Sequence, residues 1–222
     1  MSNFVKIIAF DLETTGLDDN KHEIIEIGGV KFSVKESRGN IVPDKIDEFQ
    51  SFIKAAKPNY AVNINHITDD MLALAPSIAE VLKKFKTFCD DANCLVAHNA
   101  PFDTKFLNTA YGKHSIVAPP LPILDSIKIA RNTIKLPDYK LGNITKALEA
   151  RNEIKFKTKD ESMHRAVYDC EMLMHILVAL LRSRLSIEEW AGQAFLQTLK
   201  KKDILQDIMQ IKPVIAKAKG FF

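Results

Sequence analysis

The chain has 222 residues, of which 46% are hydrophobic and 27% charged, and its formal net charge is +3. This is the composition of an ordinary globular protein, so disordered and collagen-like chains are excluded, and the length fits one main core with a terminal extension. The purely apolar runs fall far short of the roughly 20 residues that cross a bilayer. The N-terminus lacks a charged region followed by a cleavage site, so neither a membrane span nor a secretory signal is expected.

The cysteines and the charge distribution give two further expectations. Cys89, Cys94 and Cys170 form no CxxC pair, so reduced thiols and a cytoplasmic location are predicted in place of a disulfide framework or a zinc knuckle. Residues 183–222 hold seven Lys or Arg and four Asp or Glu, whereas residues 1–182 hold 24 of each. The excess positive charge therefore lies in the C-terminal tail.

The first part of the chain predicts an antiparallel meander. Residues 4–10 and 23–35 are rich in β-branched and apolar residues, and residues 46–53 alternate polar with apolar ones, which is typical of strands. The links between the three are short. Apolar residues at helical spacing follow, with Thr68 and Ser77 as expected N-caps.

The rest of the chain alternates strands with helices. Strands are predicted over 93–97 and 121–124, and helices over 101–111, 126–133, 141–150 and 165–182. This order predicts an α/β fold with a mixed sheet flanked by helices. A boundary is expected near 183–186, which divides the chain into a domain over 1–182 and a helical extension over 183–222, with helices over 187–199 and 204–218.

Two acids stand at the end of the first predicted strand, in IIAFDLETTGL. Alternate side chains of a strand share a face, so Asp11 and Glu13 point the same way as Ile7 and Ala9, about 7 Å apart along the backbone. Carboxylates beside an apolar core need a cation or hydrogen bonds, and Mg²⁺ and Mn²⁺ prefer oxygen ligands. A solvated strand end, with both acids facing water, is an equal alternative.

A third acid occurs in LVAHNAPFDTKFL. Asp103 stands near the start of a predicted helix, where the helix dipole favours an acid, and this explanation suffices for Asp103 alone. His98 and Asn99 follow a predicted strand. They either contact a ligand phosphate or the acids, or they cap the turn.

The fourth acid, Asp169, interrupts an apolar helical stripe formed by Ala166, Leu173 and Ile176. His164 lies about 140° from Asp169 around an ideal helix, so the two share a site only if His164 precedes the helix. A lone histidine is more often structural than catalytic. Three acidic segments that end or open elements of one sheet would nevertheless gather four carboxylates and a histidine, as two-metal phosphoryl chemistry requires.

The motifs FDLETTG at 10–16 and HNAPFD at 98–103, with the spacing of His164 and Asp169, resemble the DEDD superfamily of 3′→5′ exonucleases. The similarity is to the histidine-containing branch, which includes the epsilon subunit of bacterial DNA polymerase III and RNase T. Supporting matches are EIIEIGGVKF, HITDDML and LDSIKIAR, and together the matches span residues 4–182 in the expected order. The resemblance implies a ribonuclease H-like fold with a five-stranded mixed sheet.

The resemblance also implies roles for individual residues. The four metal-binding acids match Asp11, Glu13, Asp103 and Asp169, and the general base matches His164. The residues expected to grip the terminal nucleotide are Thr14, Thr15, Gly16, His98, Asn99 and Phe102. Two divalent cations, Mg²⁺ or Mn²⁺, are the implied cofactors. The chain departs from the family at His66, which occupies a position that is often glycine.

The implied reaction releases nucleoside 5′-monophosphates from single-stranded nucleic-acid 3′ ends, with DNA favoured, in proofreading or repair. The alternatives are trimming of RNA 3′ ends and a non-catalytic module that binds a polymerase. The choice between DNA and RNA depends on contacts to the 2′-hydroxyl, which no short motif here encodes.

The extension over 183–222 is a candidate contact for a polymerase or another protein partner. Its lysines, Lys200 to Lys202 with Lys212, Lys217 and Lys219, either steer a polyanion or, as is more usual, form a solvated helix face. Its aromatic residues, Trp190, Phe195, Phe221 and Phe222, are either core anchors or partner contacts.

Overall fold

A computed structural model describes residues 4–155, 165–192 and 194–212. One sheet has the strand order β3-β2-β1-β4-β5-β6. Its strands are β1 (Ile7–Thr14), β2 (Ile24–Ser37), β3 (Asn40–Phe52), β4 (Cys94–Ala97), β5 (Pro122–Asp125) and β6 (Met209–Gln210). The α-helices are α1 (Val62–Asn65), α2 (Asp69–Leu72), α3 (Ile78–Phe88), α4 (Ala100–Lys113), α5 (Ser126–Thr133), α6 (Leu141–Ala150), α7 (Ala166–Arg182) and α8 (Ala194–Lys201), with a 3₁₀ turn at Glu188–Trp190.

The sheet confirms the predicted mixed architecture. β1, β2 and β3 form the antiparallel meander, β4 pairs with β1 in parallel, and β5 pairs with β4 in parallel. Within the described ranges, no helix has both the length and the apolar character needed to span a bilayer. The three cysteines are buried and free.

The prediction of five strands was one too few, because β6 pairs antiparallel with β5 at the edge of the sheet. The predicted helix over 204–218 is therefore wrong for its described part, residues 204–212. Unpaired backbone groups at a sheet edge readily accept another strand, and here the chain after Ile204 and Leu205, both buried, runs on to that edge.

The predicted helix over 187–199 is also wrong as a single helix. It divides into the 3₁₀ turn and α8, because Ala191 bridges to Phe4 and Val5 donates its backbone N–H to the Trp190 carbonyl. Trp190 and Phe195 are fully buried in the same core as α7, with ring centroids 5.1 Å apart. Both are thus core anchors, whereas Phe221, Phe222, Lys217 and Lys219 lie outside the described residues.

The two faces of β1 bury different cores. Ile7 and Ala9 belong to the core beneath α7, and Ile8, Phe10 and Leu12 belong to the core beneath α3 and α4. This alternation is the two-residue period of a strand. Residues 11 and 13 consequently emerge on the α7 face at the end of β1.

Both predicted N-caps near the middle of the chain are confirmed. The Thr68 hydroxyl accepts from the Met71 N–H at 3.4 Å, and Ser77 forms a capping box with Glu80. His66 ends α1 with φ 55°. This left-handed conformation is easiest for glycine, which is a physical reason for glycine to be common where this chain has His66.

The first turn of α7 approaches β2 at Gly28. A Cβ atom added to Gly28 would lie 2.5 Å from the Ala166 carbonyl carbon, whereas one added to Gly29 would lie 3.1 Å from the Phe88 ring. The absence of a side chain at Gly28 therefore allows α7 to pack directly on β2.

We expect Gly28→Ala to lower the free energy of unfolding by about 1–3 kcal/mol, because overpacking displaces backbone. Gly29→Ala, on the opposite face of the same strand, is the matched control and should cost less because a side chain can yield. Urea denaturation of both variants measures the difference. Equal losses would contradict the close approach inferred for Gly28.

Candidate active site

Three predicted acids meet where β1 ends beside the first turn of α7. Asp11, Glu13 and Asp169 each offer a carboxylate oxygen, and these oxygens lie within 4.8 Å of one another. All three side chains are partly buried. β1 supplies two of them on one face, and α7 packs across that face to supply the third.

Asp103 is buried next to this group, on the first turn of α4. Its oxygens are not within the 4.8 Å group, but its charge is close enough to raise the pKa of Asp11. The backbone N–H groups of Asp103 and Leu12 hydrogen-bond to its carboxylate. The fourth predicted acid thus adjoins the other three from a different helix.

Burial and mutual repulsion dominate the electrostatics of the site. Burial raises the pKa of Asp11 well above its usual range, and the charges of Asp103 and Asp169 add to the effect. Burial, with the charges of Asp169 and Glu26, raises the pKa of Glu13 to about 7. Concentrated negative charge of this kind needs a compensating cation.

The donor set fits a divalent metal ion. Among the ion pairs of the described residues, none joins a Lys or Arg to Asp11, Glu13 or Asp103. Clustered carboxylate oxygens are the ligands that hard cations such as Mg²⁺ and Mn²⁺ prefer. A bound cation would relieve the repulsion that raises these pKa values.

The raised pKa values predict how the free energy of unfolding of the metal-free protein depends on pH. A carboxyl whose pKa is raised by folding keeps its proton where the unfolded chain has lost it. The free energy of unfolding should therefore fall as the pH rises from 4.5 to about 7, the two pKa values of Glu13. Thermal unfolding in EDTA across this range measures the slope, which Glu13→Gln should reduce. An identical slope in this variant would contradict the assignment.

The residues after β1 are held by their own hydroxyl groups. The Thr14 hydroxyl donates to the Gly16 carbonyl at 2.8 Å, and the Thr15 hydroxyl accepts from the Glu23 N–H at 3.0 Å and contacts His22 Nδ1 at 3.3 Å. Gly16 is so close to the His22 ring that an added Cβ would lie 2.5 Å from it. These contacts fix the turn, and the predicted grip on a nucleotide by Thr14, Thr15 and Gly16 stays a prediction.

His98, Asn99 and Phe102 stand at the junction of β4 and α4. His98 Nδ1 lies 2.8 Å from the Ser126 hydroxyl, and the His98 ring also hydrogen-bonds to the Tyr139 backbone. Asn99 is exposed, with φ 63°, directly before α4. Phe102 is partly buried, with its ring centroid 5.1 Å from that of Phe106. Their contacts with substrate likewise stay predictions.

The predicted general base, His164, lies outside the described residues. The structure fixes only where the following helix starts, since α7 begins at Ala166 with Arg165 as its N-cap. The assignment of His164 as general base stays a prediction.

Glu26 is a buried acid near the site that the sequence patterns did not single out. Glu26 on β2 is 0% exposed and accepts hydrogen bonds from Gln50 Nε2 and Arg165 Nε, at 2.7 and 3.3 Å. Its only signal in the sequence is an acid in the middle of the apolar run EIIEIGGVKF. Burial by α7, which a single strand does not reveal, is what makes it exceptional.

The sequence model of the family RNase_T, described as exonuclease, matches residues 8–177, from β1 to within α7. The chain belongs to this family. The resemblance to the DEDD 3′→5′ exonucleases is thereby confirmed, as is the expectation of a hydrolytic nuclease. The family implies divalent metal ions, and Asp11, Glu13 and Asp169 form a group able to hold one.

The relatives of this exonuclease include parts of large polymerases. It is 34% identical over 185 residues to the DNA polymerase III PolC-type of Streptococcus mutans and 35% identical over 180 residues to that of Halalkalibacterium halodurans. The matches cover 81% and 80% of this chain but 11% of each relative. The exonuclease thus spans about a tenth of the length of these relatives.

Solved structures share the fold. Exonuclease X in complex with 5′ overhanging duplex DNA matches with a TM-score of 0.57 and 22% identity, over 85% of this chain and 98% of that one. The nuclease domain of 3′hExo, a DEDDh family member bound to rAMP, matches with a TM-score of 0.63 and 19% identity, over 82% and 94%. These similarities confirm the ribonuclease H-like architecture expected from the sequence.

Proposed function

We propose that this exonuclease shortens DNA from its 3′ end and releases nucleoside 5′-monophosphates with the aid of two divalent cations, Mg²⁺ or Mn²⁺. The observation that supports this most directly is the convergence of Asp11 and Glu13 of β1 with Asp169 of α7, whose carboxylate oxygens lie within 4.8 Å of one another. Asp103 adjoins them from α4. No ordinary structural need accounts for four neighbouring carboxylates of which two have strongly raised pKa values through burial.

Each residue has a defined task in the proposed mechanism. Asp11, Glu13, Asp103 and Asp169 would hold the cations, whose positive charge would offset the repulsion that Asp11 experiences from the other three acids. Bound cations of this type lower the pKa of water and stabilise a leaving oxygen. His164 accepts the proton of the attacking water as general base. The Thr14–Gly16 turn and the segment of His98, Asn99 and Phe102 orient the terminal nucleotide.

The similar proteins favour DNA as the substrate of this exonuclease. The polymerase relatives are DNA polymerases, and Exonuclease X was solved with duplex DNA. RNA is the second candidate because 3′hExo was solved with rAMP and a related 3′-exonuclease recognises a histone mRNA stem-loop. A proofreading or repair role in the cytoplasm, with a polymerase contact through residues 183–222, fits the polymerase relatives and the free cysteines.

Matched 5′-labelled oligonucleotides test substrate, polarity and metal dependence together. Single-stranded DNA, duplex DNA and RNA of one sequence are incubated with Mg²⁺, Mn²⁺ or EDTA. We expect stepwise shortening from the 3′ end, faster on DNA than on RNA and absent in EDTA. Faster cleavage of RNA would assign the enzyme to RNA trimming, and absence of mononucleotide release under all conditions would contradict the proposed function.

A further inference from the structure

The buried acid Glu26 connects β2 to the start of α7. Its carboxylate is 3.3 Å from Arg165 Nε, 3.5 Å from the Ala166 backbone N and 2.7 Å from Gln50 Nε2. Its side chain is fully buried. A buried carboxylate depends on its hydrogen-bond donors, because removal of one of them leaves a buried charge without full compensation and destabilises the fold.

Glu26 also lies directly beside the metal-binding acids. It is the register partner of Glu13 across β1 and β2, and opposite residues of an antiparallel pair project from the same face. Its charge contributes to the raised pKa values of Asp11 and Glu13. Its oxygens nevertheless face the donors of Arg165 and Ala166 and are not part of the 4.8 Å group.

Arg165 connects Glu26 to Asp169. The backbone carbonyl of Arg165 accepts from the N–H groups of Tyr168 and Asp169, at 2.8 and 3.3 Å. Its guanidinium lies 4.7 Å from the centroid of the Phe52 ring, an attractive geometry for a cation and an aromatic face. The side chain of Arg165 is thus fixed by β2 and β3 while its carbonyl holds the turn that bears Asp169.

We propose that Glu26 is a positioning residue for the hydrolytic reaction. It orients Asp169 toward Asp11 and Glu13 by fixing the first turn of α7, and it keeps the Arg165 cation engaged beside Phe52 instead of among the metal ligands. This inference rests on the proposed metal-dependent hydrolysis. Outer partners of metal ligands typically affect metal affinity or activity by about 10–100-fold.

The test variant is Glu26→Gln, which keeps the shape and an oxygen acceptor but removes the charge. We expect weaker Mn²⁺ binding, measured by electron paramagnetic resonance, and a higher Mg²⁺ concentration for half-maximal cleavage, each by about 10–100-fold. The KM for a single-stranded oligonucleotide should stay near the wild-type value. In the double variant Glu26→Gln with Arg165→Gln, metal affinity should partly recover because the released cation is gone.

Asp91→Asn is the matched control. Asp91 pairs at 2.5 Å with Lys31, which is nearly buried on β2, and Lys31 contacts Phe88 as Arg165 contacts Phe52. This variant removes the negative charge that pairs with Lys31 of β2, on the face of the sheet that packs against α3. Its thermal stability should fall, while its metal dependence stays unchanged.

The outcomes separate the two proposals. If the wild-type protein binds Mn²⁺ and degrades DNA but Glu26→Gln shows the metal dependence of Asp91→Asn, the positioning role is wrong and the proposed function stands. If the double variant binds Mn²⁺ no better than Glu26→Gln, the part assigned to Arg165 is wrong. If the wild-type protein neither binds Mn²⁺ nor releases mononucleotides, both proposals fail.

Discussion

Asp11→Asn is expected to abolish most exonuclease activity while stabilising the metal-free protein. The loss should reach about 10³-fold, because metal-ion catalysis supplies several kcal/mol and each 1.36 kcal/mol corresponds to a factor of ten. The gain in stability follows from the raised pKa of Asp11, whose charged form is disfavoured by burial and by Asp103 and Asp169. An amide avoids that repulsion at nearly the same volume.

The opposite signs of the two effects make the result diagnostic. Single-turnover cleavage of DNA measures the first, and the melting temperature in EDTA measures the second. Divalent cations should raise the melting temperature of the wild-type protein, since they bind the folded state, and should raise that of the variant less. Asp207→Asn, an exposed acid paired with Lys128, is the control and should change neither activity nor metal response. Full activity of Asp11→Asn at saturating Mg²⁺ would refute the metal assignment.

The strands of the core were predictable because both of their faces are buried, which makes their sequences rich in apolar and β-branched residues, but β3 shows where this signal ends. Its alternation predicts a strand from residue 46, whereas β3 begins at Asn40 and pairs with β2 through a hairpin at Arg38 and Gly39, both with positive φ. β3 is an edge strand in which no residue is fully buried. Its second half still alternates polar with apolar residues, whereas residues 40–45 carry no such alternation and were therefore missed.

The C-terminal extension was predicted less well for a different reason. Ile204, Leu205 and Ile211 are buried apolar residues whose spacing resembles that of a helix, yet their burial comes from packing on the core and from the β5–β6 pairing. Helix propensity is a weak local preference that such tertiary contacts override. Single-sequence patterns do not distinguish the two origins of burial.

The residues of the candidate site also differ in how far the sequence predicts them. The shared face of Asp11 and Glu13 follows from the strand period, and the inward position of Asp169 follows from its apolar helical stripe. Asp103 had a sufficient local explanation at its helix start, so only the packing of α4 beside β1 reveals its proximity to Asp11. Glu26 was missed because its environment is created by α7, whose close approach depends on the absent side chain of Gly28.

His164→Ala is expected to lower the single-turnover rate by about 10²–10⁴-fold, the usual contribution of general acid–base catalysis. Metal binding should be largely retained, because the carboxylates of Asp11, Glu13 and Asp169 provide the ligand group without it. The stabilisation by Mn²⁺ seen in thermal unfolding should therefore match that of the wild-type protein, in contrast to Asp11→Asn.

The pH profile distinguishes a general base from a residue that merely supports the fold. With the wild-type protein, the rate should rise with pH, because only the neutral imidazole of a general base accepts a proton. His164→Ala should lose this rise, whereas His114→Ala, an exposed histidine at the end of α4, should keep it. If His164→Ala retains both the wild-type rate and the wild-type profile, the proton must leave by another route, and the assignment of His164 fails while the metal assignment stands.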